Sequence, residues 1–590
     1  MKNKFINIWI PCFFLIATPA FCYVVFEWIT GNLNHIHGEY IVWNLLFYYA
    51  VYAVFLFITN RVRISYLALN LIFTIWAAAD FFVVDLRARP IMIPDIVAWQ
   101  TAATVAGNYR YEVPESMIHA ILLMVAWSVL VWLFPFKMPN GKKRAVTAAV
   151  LLAGSIGWCL YFFFWLVPVK GIDVSMWAPN ESYETKGYML CTARMLSYLY
   201  GKPPEGYHYS TVSLMYDELE PLPAEGGSPL NIICIMNESW ADLSVISEFR
   251  TNLPSFAYYD SMDENCIKGH VYVPVFGSMT SNTEYEFLTA NSMAFAPVGS
   301  VPFQIYMDGH TQSILDTVAA EGYETIAMHP YPADNWNRTA AYHSLGFDQF
   351  LDEPYFLDSP RIRGYVSDRG CYEKIIQLTE ESGDARQFFF LVTMQNHGGY
   401  AQDYAAKVQL TEYRNFPETE QYLSLIRESD EALEYLIEYY RQSDQPTLIV
   451  MFGDHQPSLE TEFFEALYGR GLSELNMEEY ARMYETPFFI WTNYENNLEE
   501  QTEFSVVYLS NQVLKAANLP LNGYQNFQEE LKVQIPVIHL MGYRDKDDGW
   551  QDWIDWKLKE SYEWFHRLDL FQYYRMFGEK NKITIDFQKK

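Results

Sequence analysis

Hydrophobic and polar residues are distributed unevenly along this chain. Its first 168 residues are largely apolar, and the rest alternates short apolar runs with polar stretches. Five apolar segments occupy residues 6–30, 40–59, 64–84, 117–134 and 145–167. Each approaches the roughly 20 residues that an α-helix needs to cross a bilayer. The pattern therefore predicts a domain of five transmembrane helices over residues 1–167.

Basic residues indicate how these helices are oriented. They precede the first segment and fill the second and fourth loops, as Lys2, Lys4, Arg61, Arg63, Lys137, Lys142, Lys143 and Arg144. The first outer loop, residues 31–39, has no Lys or Arg. The positive-inside rule then predicts a multi-pass cell-membrane protein with a cytoplasmic N-terminus and everything after residue 167 outside. Arg87, Arg89 and Arg110 run against this trend, since they fall in the outer loop of residues 85–115.

Two features near that outer loop are candidates for interfacial roles. Residues 91–96 predict an amphipathic piece lying along the membrane surface. Asp80, near the outer end of the third segment, is either a functional membrane acid or an acid that reaches water. No small-residue cleavage site follows the fifth segment, so we expect the outer domain to stay tethered.

The second part of the chain predicts a different fold. Residues 168–228 form a linker with some helical periodicity around residues 188–199. From residue 229 to 545, apolar strands alternate with helical stretches, as in strands 324–328 and 388–394 and helices 311–321 and 418–440. This alternation predicts an α/β domain with a mostly parallel sheet covered on both faces. Residues 546–590 are an aromatic tail with helical spacing.

Charge and cysteine content exclude some functions. The net charge is −30, and residues 1–168 carry 11 basic and 7 acidic residues, so the excess acidity lies in the second part. Such a surface repels phosphates of nucleic acid, and we expect no nucleic-acid partner. The seven cysteines form no CxxC spacing, which argues against a disulfide framework or a thiolate metal site.

Polar side chains with catalytic potential follow the predicted strands. Glu238 comes after the apolar run 232–236, and Asp454-His455 follows the run 447–452. In an open α/β sheet, ligands bind beyond the carboxyl ends of the strands. Two carboxylates and an imidazole suit Mn, Mg or Zn, and Thr280 could be activated as a nucleophile beside such a metal.

With these residues, the chain resembles the lipoteichoic acid synthase and phosphoglycerol transferase family of the alkaline phosphatase/sulfatase superfamily. The resemblance rests on Asn237-Glu238-Ser239, Gly277-x-x-Thr280-Ser281-x-x-Glu284, Asn335-Trp336-Asn337-Arg338, Gln395-Asn396-His397 and Gly453-Asp454-His455. It covers the five-span domain and residues 230 to about 540. It implies an extracellular sulfatase-like catalytic domain after the membrane helices. The family's lysine before the threonine is Met279 here, so the substrate contacts differ at that point.

The resemblance also implies roles for individual residues. Thr280 would be the catalytic nucleophile, and Glu238, Thr280, Asp454 and His455 would hold one divalent metal, most often manganese. The substrate-binding residues would be His329, Trp336, Arg338 and His397. Arg338 could fork onto phosphate oxygens, and His397 could protonate a leaving alkoxide.

The implied reaction is a glycerophosphotransfer through a covalent threonine intermediate. Phosphatidylglycerol would be the donor, and a glycolipid, a polyglycerolphosphate chain or a glucan would be the acceptor. Alternatives are a phosphoethanolamine transferase, a sulfatase-like hydrolase, or an inactive family member that binds teichoic acid. Against these, no C/S-x-P-x-R sulfatase run is present, the cysteines are scattered, and the metal set is complete. The sequence leaves the oligomeric state open.

Overall fold

A computed structural model describes the chain in two compact units, one formed by the described residues up to 196 and the other by those from 201 onward. The described residues are 2–87, 90–91, 113–134, 136, 138–174, 179–196, 201, 203–224, 226–297, 299–307, 309–333, 335–401, 406–495, 502–554, 556–559 and 561–588. Most of the predicted outer loop, including residues 92–96, lies outside them.

Five helices of the first unit are long and apolar enough to span a membrane. They are α1 (Lys2–Ile29), α2 (Gly38–Thr59), α3 (Val62–Arg87), α4 (Glu115–Leu133) and α5 (Lys142–Tyr161), the last continued by a π-helical turn (Phe162–Leu166) and by α6 (Val167–Lys170). The prediction of five apolar helices followed by an α/β domain is confirmed.

Two short helices complete the first unit, α7 (Pro179–Lys186) and α8 (Tyr188–Leu196). Buried polar groups of the apolar helices hold the start of α8: Glu27 accepts from the backbone N–H of Tyr188 at 2.9 Å, and Asn44 accepts from that of Leu190 at 2.9 Å. The Tyr188 hydroxyl donates to Asp80 at 2.7 Å. Asp80 is only 2% exposed, which argues against the alternative that it reaches water.

The second unit is built on an eight-stranded sheet in the order β10-β2-β9-β8-β1-β7-β3-β4. Its strands are β1 (Asn231–Asn237), β2 (Cys266–Tyr272), β3 (Glu324–Met328), β4 (Gln349–Leu351), β7 (Gln387–Val392), β8 (Thr447–Gly453), β9 (Glu485–Thr492) and β10 (Glu503–Ser505). Strand β9 is antiparallel to both β2 and β8, and the remaining pairs are parallel. The sheet is therefore mixed.

Two smaller sheets lie outside this one. A hairpin pairs β5 (Arg361–Ile362) with β6 (Tyr365–Val366), and a three-stranded antiparallel sheet joins β11 (Val537–His539), β12 (Gly542–Asp545) and β13 (Gly549–Asp552). The three-stranded sheet therefore continues past residue 545, the predicted end of the α/β domain.

Helices cover both faces of the main sheet. In chain order they are α9 (Tyr209–Asp217), α10 (Ala257–Ser261), α11 (Thr280–Thr289), α12 (Pro302–Ile305), α13 (Ile314–Ala320), α14 (Arg338–Leu345), α15 (Asp368–Ser382), α16 (Pro417–Arg441), α17 (Thr461–Tyr468), α18 (Met477–Ala481), α19 (Leu509–Ala516), α20 (Gly523–Gln534) and α21 (Tyr562–Gln588).

Alternate residues of β1 enter two separate cores, Ile232 and Cys234 on one side and Ile233 and Ile235 on the other. Because β1 is buried on both faces, it reads as one continuous apolar run.

Candidate functional site

Four neighbouring parallel strands end at one edge of the sheet, and the polar residues that follow them form the site. In the order β8, β1, β7 and β3, these strands lead into Asp454, Glu238, Thr393 and His329. This is where an open α/β sheet places its ligands. Parallel pairing alone therefore brings together residues more than 200 positions apart.

Glu238, Asp454 and His455 form a compact cluster. Their potential ligand atoms all lie within 4.8 Å of one another, and all three residues are buried. His455 Nε2 is 3.2 Å from Asp454 Oδ2 and 3.8 Å from Glu238 Oε1. Backbone N–H groups of Ser239 and His455 donate to Asp454 Oδ1 at 2.7 and 2.8 Å, which fixes the carboxylate.

The chemistry of this cluster fits a divalent cation. Asp454 Oδ2 is buried and accepts no hydrogen bond from the described residues. Burial, together with the charge of Asp454, raises the pKa of Glu238 well above its usual range. His455 Nδ1 is held by the backbone carbonyl of Gln456 at 2.9 Å, so Nε2 faces the two carboxylates. A cation would satisfy the orphan oxygen and offset the repulsion between the acids.

Thr280 begins helix α11, every residue of which is buried. Met279 precedes it in the left-handed conformation with φ +73°, and no side chain caps the helix. One turn on, the Thr283 hydroxyl donates to the Asp454 carbonyl at 2.7 Å, and the Gly277 N–H donates to the Gln456 carbonyl at 3.0 Å. The segment around Thr280 is thereby held against the loop that carries Asp454 and His455.

The start of α11 is also prepared for an anion. Exposed N–H groups at a helix N-terminus attract negative charge. The Ser281 hydroxyl is buried and makes no hydrogen bond with the described residues. It could donate to a phosphate oxygen bound at Thr280.

Trp336 reaches this region through apolar contacts. It is 8% exposed and clusters with Val275, Met279 and Val301. Its backbone is left-handed, with φ +59°. Met279, where the family has lysine, therefore packs against Trp336 as part of an apolar wall beside Thr280.

Arg338 is buried, and three of its five N–H groups are directed at protein partners. Its Nε and Nη2 bond to Glu284 at 3.0 and 2.5 Å, and its Nη1 lies 3.0 Å from His329 Nε2. Tyr342 donates to the other Glu284 oxygen at 2.5 Å. Glu284 belongs to the motif Gly277-x-x-Thr280-Ser281-x-x-Glu284, whose pattern predicts no role for it. Its pairing with Arg338 was not detectable, because it depends on two helices meeting.

His329 and His397 are both kept neutral. Burial, assisted by the charge of Arg338, lowers the pKa of His329 well below its usual range. Burial, with His455 as a further cause, lowers the pKa of His397 to about 4. With a pKa of about 4, the His397 imidazole is neutral near pH 7.

The β5–β6 hairpin holds the loop that carries His397. The Arg363 guanidinium donates to the carbonyls of His397 and Gly399 at 3.2 and 2.9 Å, and the Tyr365 hydroxyl is 3.4 Å from His397 Nδ1. Arg363 has a left-handed backbone, φ +54°, which is uncommon for a residue with a side chain. Sequence reasoning missed both residues, since the hairpin carries no motif.

A network of buried hydrogen bonds supports the loop that carries His397. Asn237 and Ser429 donate to Asp368 Oδ2 at 2.8 and 2.6 Å, and Asn396 donates to Asn237 at 3.0 Å. Gln395 accepts from the backbone N–H of Asp368 at 3.0 Å. The quoted Gln395-Asn396 pair is thus a support for His397.

The predicted site residues therefore lie in one region. Glu238, Asp454 and His455 meet directly, Thr283 holds the segment of Thr280 to the Asp454 backbone, and Arg338 contacts His329. Electrostatic effects connect the cluster with Arg338 and His397. Burial raises the pKa of Glu238, and the positive charge of Arg338 offsets part of that rise. Burial lowers the pKa of His397, and His455 lowers it further. Trp336 joins through Met279.

Comparison with known proteins agrees with this geometry. Residues 230–519 match the sulfatase family. A Rhizobium meliloti protein, named for cyclic beta-1,2-glucan modification, is 29% identical over 483 residues, which are 80% of this chain and 73% of that protein.

Two solved structures share the fold. The Streptococcus pyogenes phosphoglycerol transferase GacH, in complex with sn-glycerol-1-phosphate, has a TM-score of 0.53 at 20% identity over 65% of this chain and 98% of its own. The lipooligosaccharide phosphoethanolamine transferase EptA from Neisseria meningitidis, an integral membrane protein, has a TM-score of 0.52 at 12% identity over 86% of this chain and 95% of its own. The latter match extends over both units.

Proposed function

Because this chain carries a sulfatase domain of the alkaline phosphatase superfamily after five apolar helices, we propose that it is a membrane-bound glycerophosphotransferase. The observation that carries the proposal is the bond from Thr283, three residues after Thr280 in α11, to the backbone carbonyl of Asp454, which holds the start of α11 against the loop of the Glu238, Asp454 and His455 cluster. Thr280 is the nucleophile in this proposal, and phosphatidylglycerol is the donor.

Glu238, Asp454 and His455, with the Thr280 hydroxyl, would hold one divalent cation, manganese in preference to magnesium or zinc. Such a cation supplies positive charge that lowers the pKa of a bound hydroxyl and stabilises the charge that develops on phosphate.

In the first step, Thr280 Oγ1 attacks the phosphorus of the donor and the bond from phosphorus to the diacylglycerol oxygen breaks. The threonine proton ends on the departing diacylglycerol, and a glycerophosphoryl group remains on Thr280. The N-terminus of α11 and the Ser281 hydroxyl stabilise the phosphate oxygens.

In the second step, an acceptor hydroxyl loses its proton to His397 and attacks the same phosphorus. The bond from phosphorus to Thr280 Oγ1 breaks, and the proton taken up by His397 passes to the threonine oxygen, which restores both groups. Arg338 keeps two N–H groups beyond those bonded to Glu284 and His329, and these can reach a phosphate oxygen or a glycerol hydroxyl. Trp336 and Met279 wall the pocket, with His329 as a further polar contact.

We propose an envelope acceptor outside the membrane, a glycolipid, a polyglycerolphosphate chain or a glucan. The R. meliloti relative, named for modification of cyclic β-1,2-glucan, supports a glucan first. A cytoplasmic N-terminus and an extracellular catalytic unit, as the basic loops predict, place Thr280 where lipid headgroups are available and ATP is not.

The test is product analysis with the full chain in vesicles that contain a fluorescent phosphatidylglycerol. With a cyclic β-1,2-glucan present, we expect fluorescent diacylglycerol and glycerophosphorylated glucan, and neither product from Thr280→Ala. Release of free glycerophosphate at the same rate with and without each acceptor would identify a hydrolase. Turnover of phosphatidylethanolamine in place of phosphatidylglycerol would identify a phosphoethanolamine transferase, and full activity of Thr280→Ala would exclude the proposal.

A further inference from the structure

An apolar groove of about 590 Å³ runs along the first unit between α1, α2 and α5. Leu15, Leu46, Leu56, Val150 and Leu151 are among the residues that line it. Two polar side chains of its wall are already used internally: Tyr49 donates to the Ile16 carbonyl at 2.7 Å and Ser155 donates to the Ala50 carbonyl at 3.0 Å. Tyr52, Thr147 and Trp158 add polar atoms to the lining, but most of the remaining lining residues are apolar, so the groove offers a mainly hydrocarbon surface at the depth of the apolar helices.

Two basic residues of α5 lie just beyond one end of the groove, next to the residues that line it. Its α5 wall consists of Thr147, Val150, Leu151, Gly154, Ser155 and Trp158, which recur at helical spacing on one face. Lys143 and Arg144 precede Thr147 by four and three residues, so they extend the same face toward the start of α5. Both side chains are exposed, and neither forms an ion pair with the residues the structure describes.

The positive charges of Lys143 and Arg144 lie at the positive end of the dipole of α5. Positive residues in the first turn are unfavourable beside the positive end of the helix dipole. Residue Gly141 stands at the N-cap and no side chain caps α5. A phosphate at this end would satisfy the exposed N–H groups and the two basic side chains together.

The length of the groove matches one lipid chain. From Arg144 to Ser155, α5 rises by about 16 Å. That is about half of the roughly 30 Å hydrocarbon core, the depth that one leaflet contributes. A free phosphate would leave the apolar wall uncovered, whereas a lipid covers both parts.

We propose that this groove is a binding site for an anionic glycerophospholipid, with one acyl chain along α5 and the headgroup phosphate at Lys143 and Arg144. The site is separate from the catalytic residues and does not depend on the proposed reaction.

Two glycines of α5 supply a matched test. A Cβ added at Gly154 or at Gly157 meets no heavy atom within 4 Å, so at both positions a larger side chain can leave the backbone without a clash. Gly154 lines the groove and Gly157 does not. The probe is phosphatidylserine with a photoreactive diazirine in its acyl chain, incorporated at low level into phosphatidylcholine vesicles that hold the full chain. Crosslinked peptides are then mapped by mass spectrometry.

We expect labelling of the segment of residues 136–158, a drop of about tenfold in Gly154→Leu, and no change in Gly157→Leu. Equal labelling of the two variants would show that the lipid is general solvent and would overturn the site.

Charge variants test the headgroup. The double change Lys143→Gln with Arg144→Gln should weaken labelling by roughly 30-fold, because each basic residue near an anionic lipid contributes about 1 kcal/mol. Lys142→Gln, which removes one charge from the opposite face of α5, should have little effect. Equal labelling by a phosphatidylcholine diazirine probe, or equal losses in the double variant and in Lys142→Gln, would overturn the assignment of an anionic lipid.

Discussion

Glu284 and Arg338 show how single residues set the electrostatics of the site. Both are buried, with side chains 0% and 2% exposed, and they form a two-pronged ion pair. Removing one partner of a buried pair leaves an uncompensated charge, which costs much more than the pair contributes. The pair therefore has to be intact for the position of Arg338 to be defined.

The first prediction concerns this pair. Glu284→Gln should destabilise the protein by about 3–5 kcal/mol, because it strands the Arg338 charge. Tyr342→Phe, which removes only the hydroxyl that donates to Glu284, should cost about 1–3 kcal/mol. Thermal unfolding of the two full-length variants in the same detergent checks the order. A smaller shift for Glu284→Gln than for Tyr342→Phe would show that Arg338 finds another partner.

Arg363 supports a second prediction at this scale. Arg363→Gly relieves the left-handed backbone, a cost of about 1–2 kcal/mol, but removes both bonds to the His397 loop. We expect the melting temperature to change little while the turnover number falls about tenfold, since a hydrogen bond to a charged group contributes about 1.5–3 kcal/mol. Turnover measured beside Arg363→Lys, which keeps the charge, is the check. Unchanged turnover in the glycine variant would exclude a positioning role for Arg363.

The site forms where parallel strands end. At the end of β8, the backbone of Gly453 lies very close to that of Trp240. A Cβ at Gly453, the last residue of β8, would lie 1.9 Å from the Trp240 carbonyl oxygen. Trp240 follows Glu238 by two residues and Asp454 follows Gly453 directly. The segments that carry Glu238 and Asp454 can therefore lie side by side only if residue 453 is glycine.

Gly453→Ala should consequently separate Glu238 from Asp454. We expect loss of tight divalent-cation binding and of activity, together with destabilisation of several kcal/mol from overpacking. Gly227→Ala is the control, because a Cβ there meets no atom within 4 Å. Titration of manganese into both purified variants separates them. Wild-type affinity in Gly453→Ala would mean that the cation binds elsewhere.

Within the second unit, helix α21 packs beside a segment that contains a buried titratable group, Glu286. Gln572 exchanges two hydrogen bonds with the backbone of Ser292, and Glu286 accepts from the Met293 N–H at 2.6 Å. Burial raises the pKa of Glu286 to about 8, against hydrogen bonds from Met293 and Ser292 that lower it. The neutral form of Glu286 therefore stabilises this junction.

The sign of the pH effect follows. Between the unfolded pKa, about 4.5, and the folded pKa, about 8, the folded state binds more protons, so the free energy of unfolding falls as pH rises. Glu286→Gln mimics the neutral acid. Relative to wild type it should gain stability with rising pH, on the order of a few kcal/mol between pH 5 and 8.5. Melting temperatures at several pH values test this, and parallel curves for the two proteins would contradict it.

Which elements the sequence could predict depended on their burial. Strand β3 matches its predicted bounds of 324–328, and β1, β7 and β8 begin and end within two residues of prediction, because each is a continuous apolar run. Strands β2, β4, β9 and β10 of the main sheet were not foreseen, although β9 is buried along its whole length. Strand β2 contains Lys268, Gly269 and His270 and is only half-buried over most of its length, so its pattern resembles a loop.

For the whole molecule, the composition of the sequence was enough to predict the division into an apolar helical unit and an acidic α/β unit. The cluster of Glu238, Asp454 and His455 was predictable as well, because all three residues follow apolar strands. The partners of the site were not. Glu284 with Arg338, Arg363 with His397, and Asp368 with Asn237 are separated by 34 to 131 residues, and only the folded chain sets these contacts.

The central claim is that Thr280 carries the glycerophosphoryl group between donor and acceptor. It is tested most directly by mass spectrometry of the full chain, quenched with acid after mixing with phosphatidylglycerol and manganese in the absence of acceptor. We expect a glycerophosphoryl adduct on the peptide that contains Thr280, its loss when acceptor is added before the quench, and no adduct in Thr280→Ala. Diacylglycerol release by wild type without any adduct, or an adduct on another residue that persists in Thr280→Ala, would contradict the account.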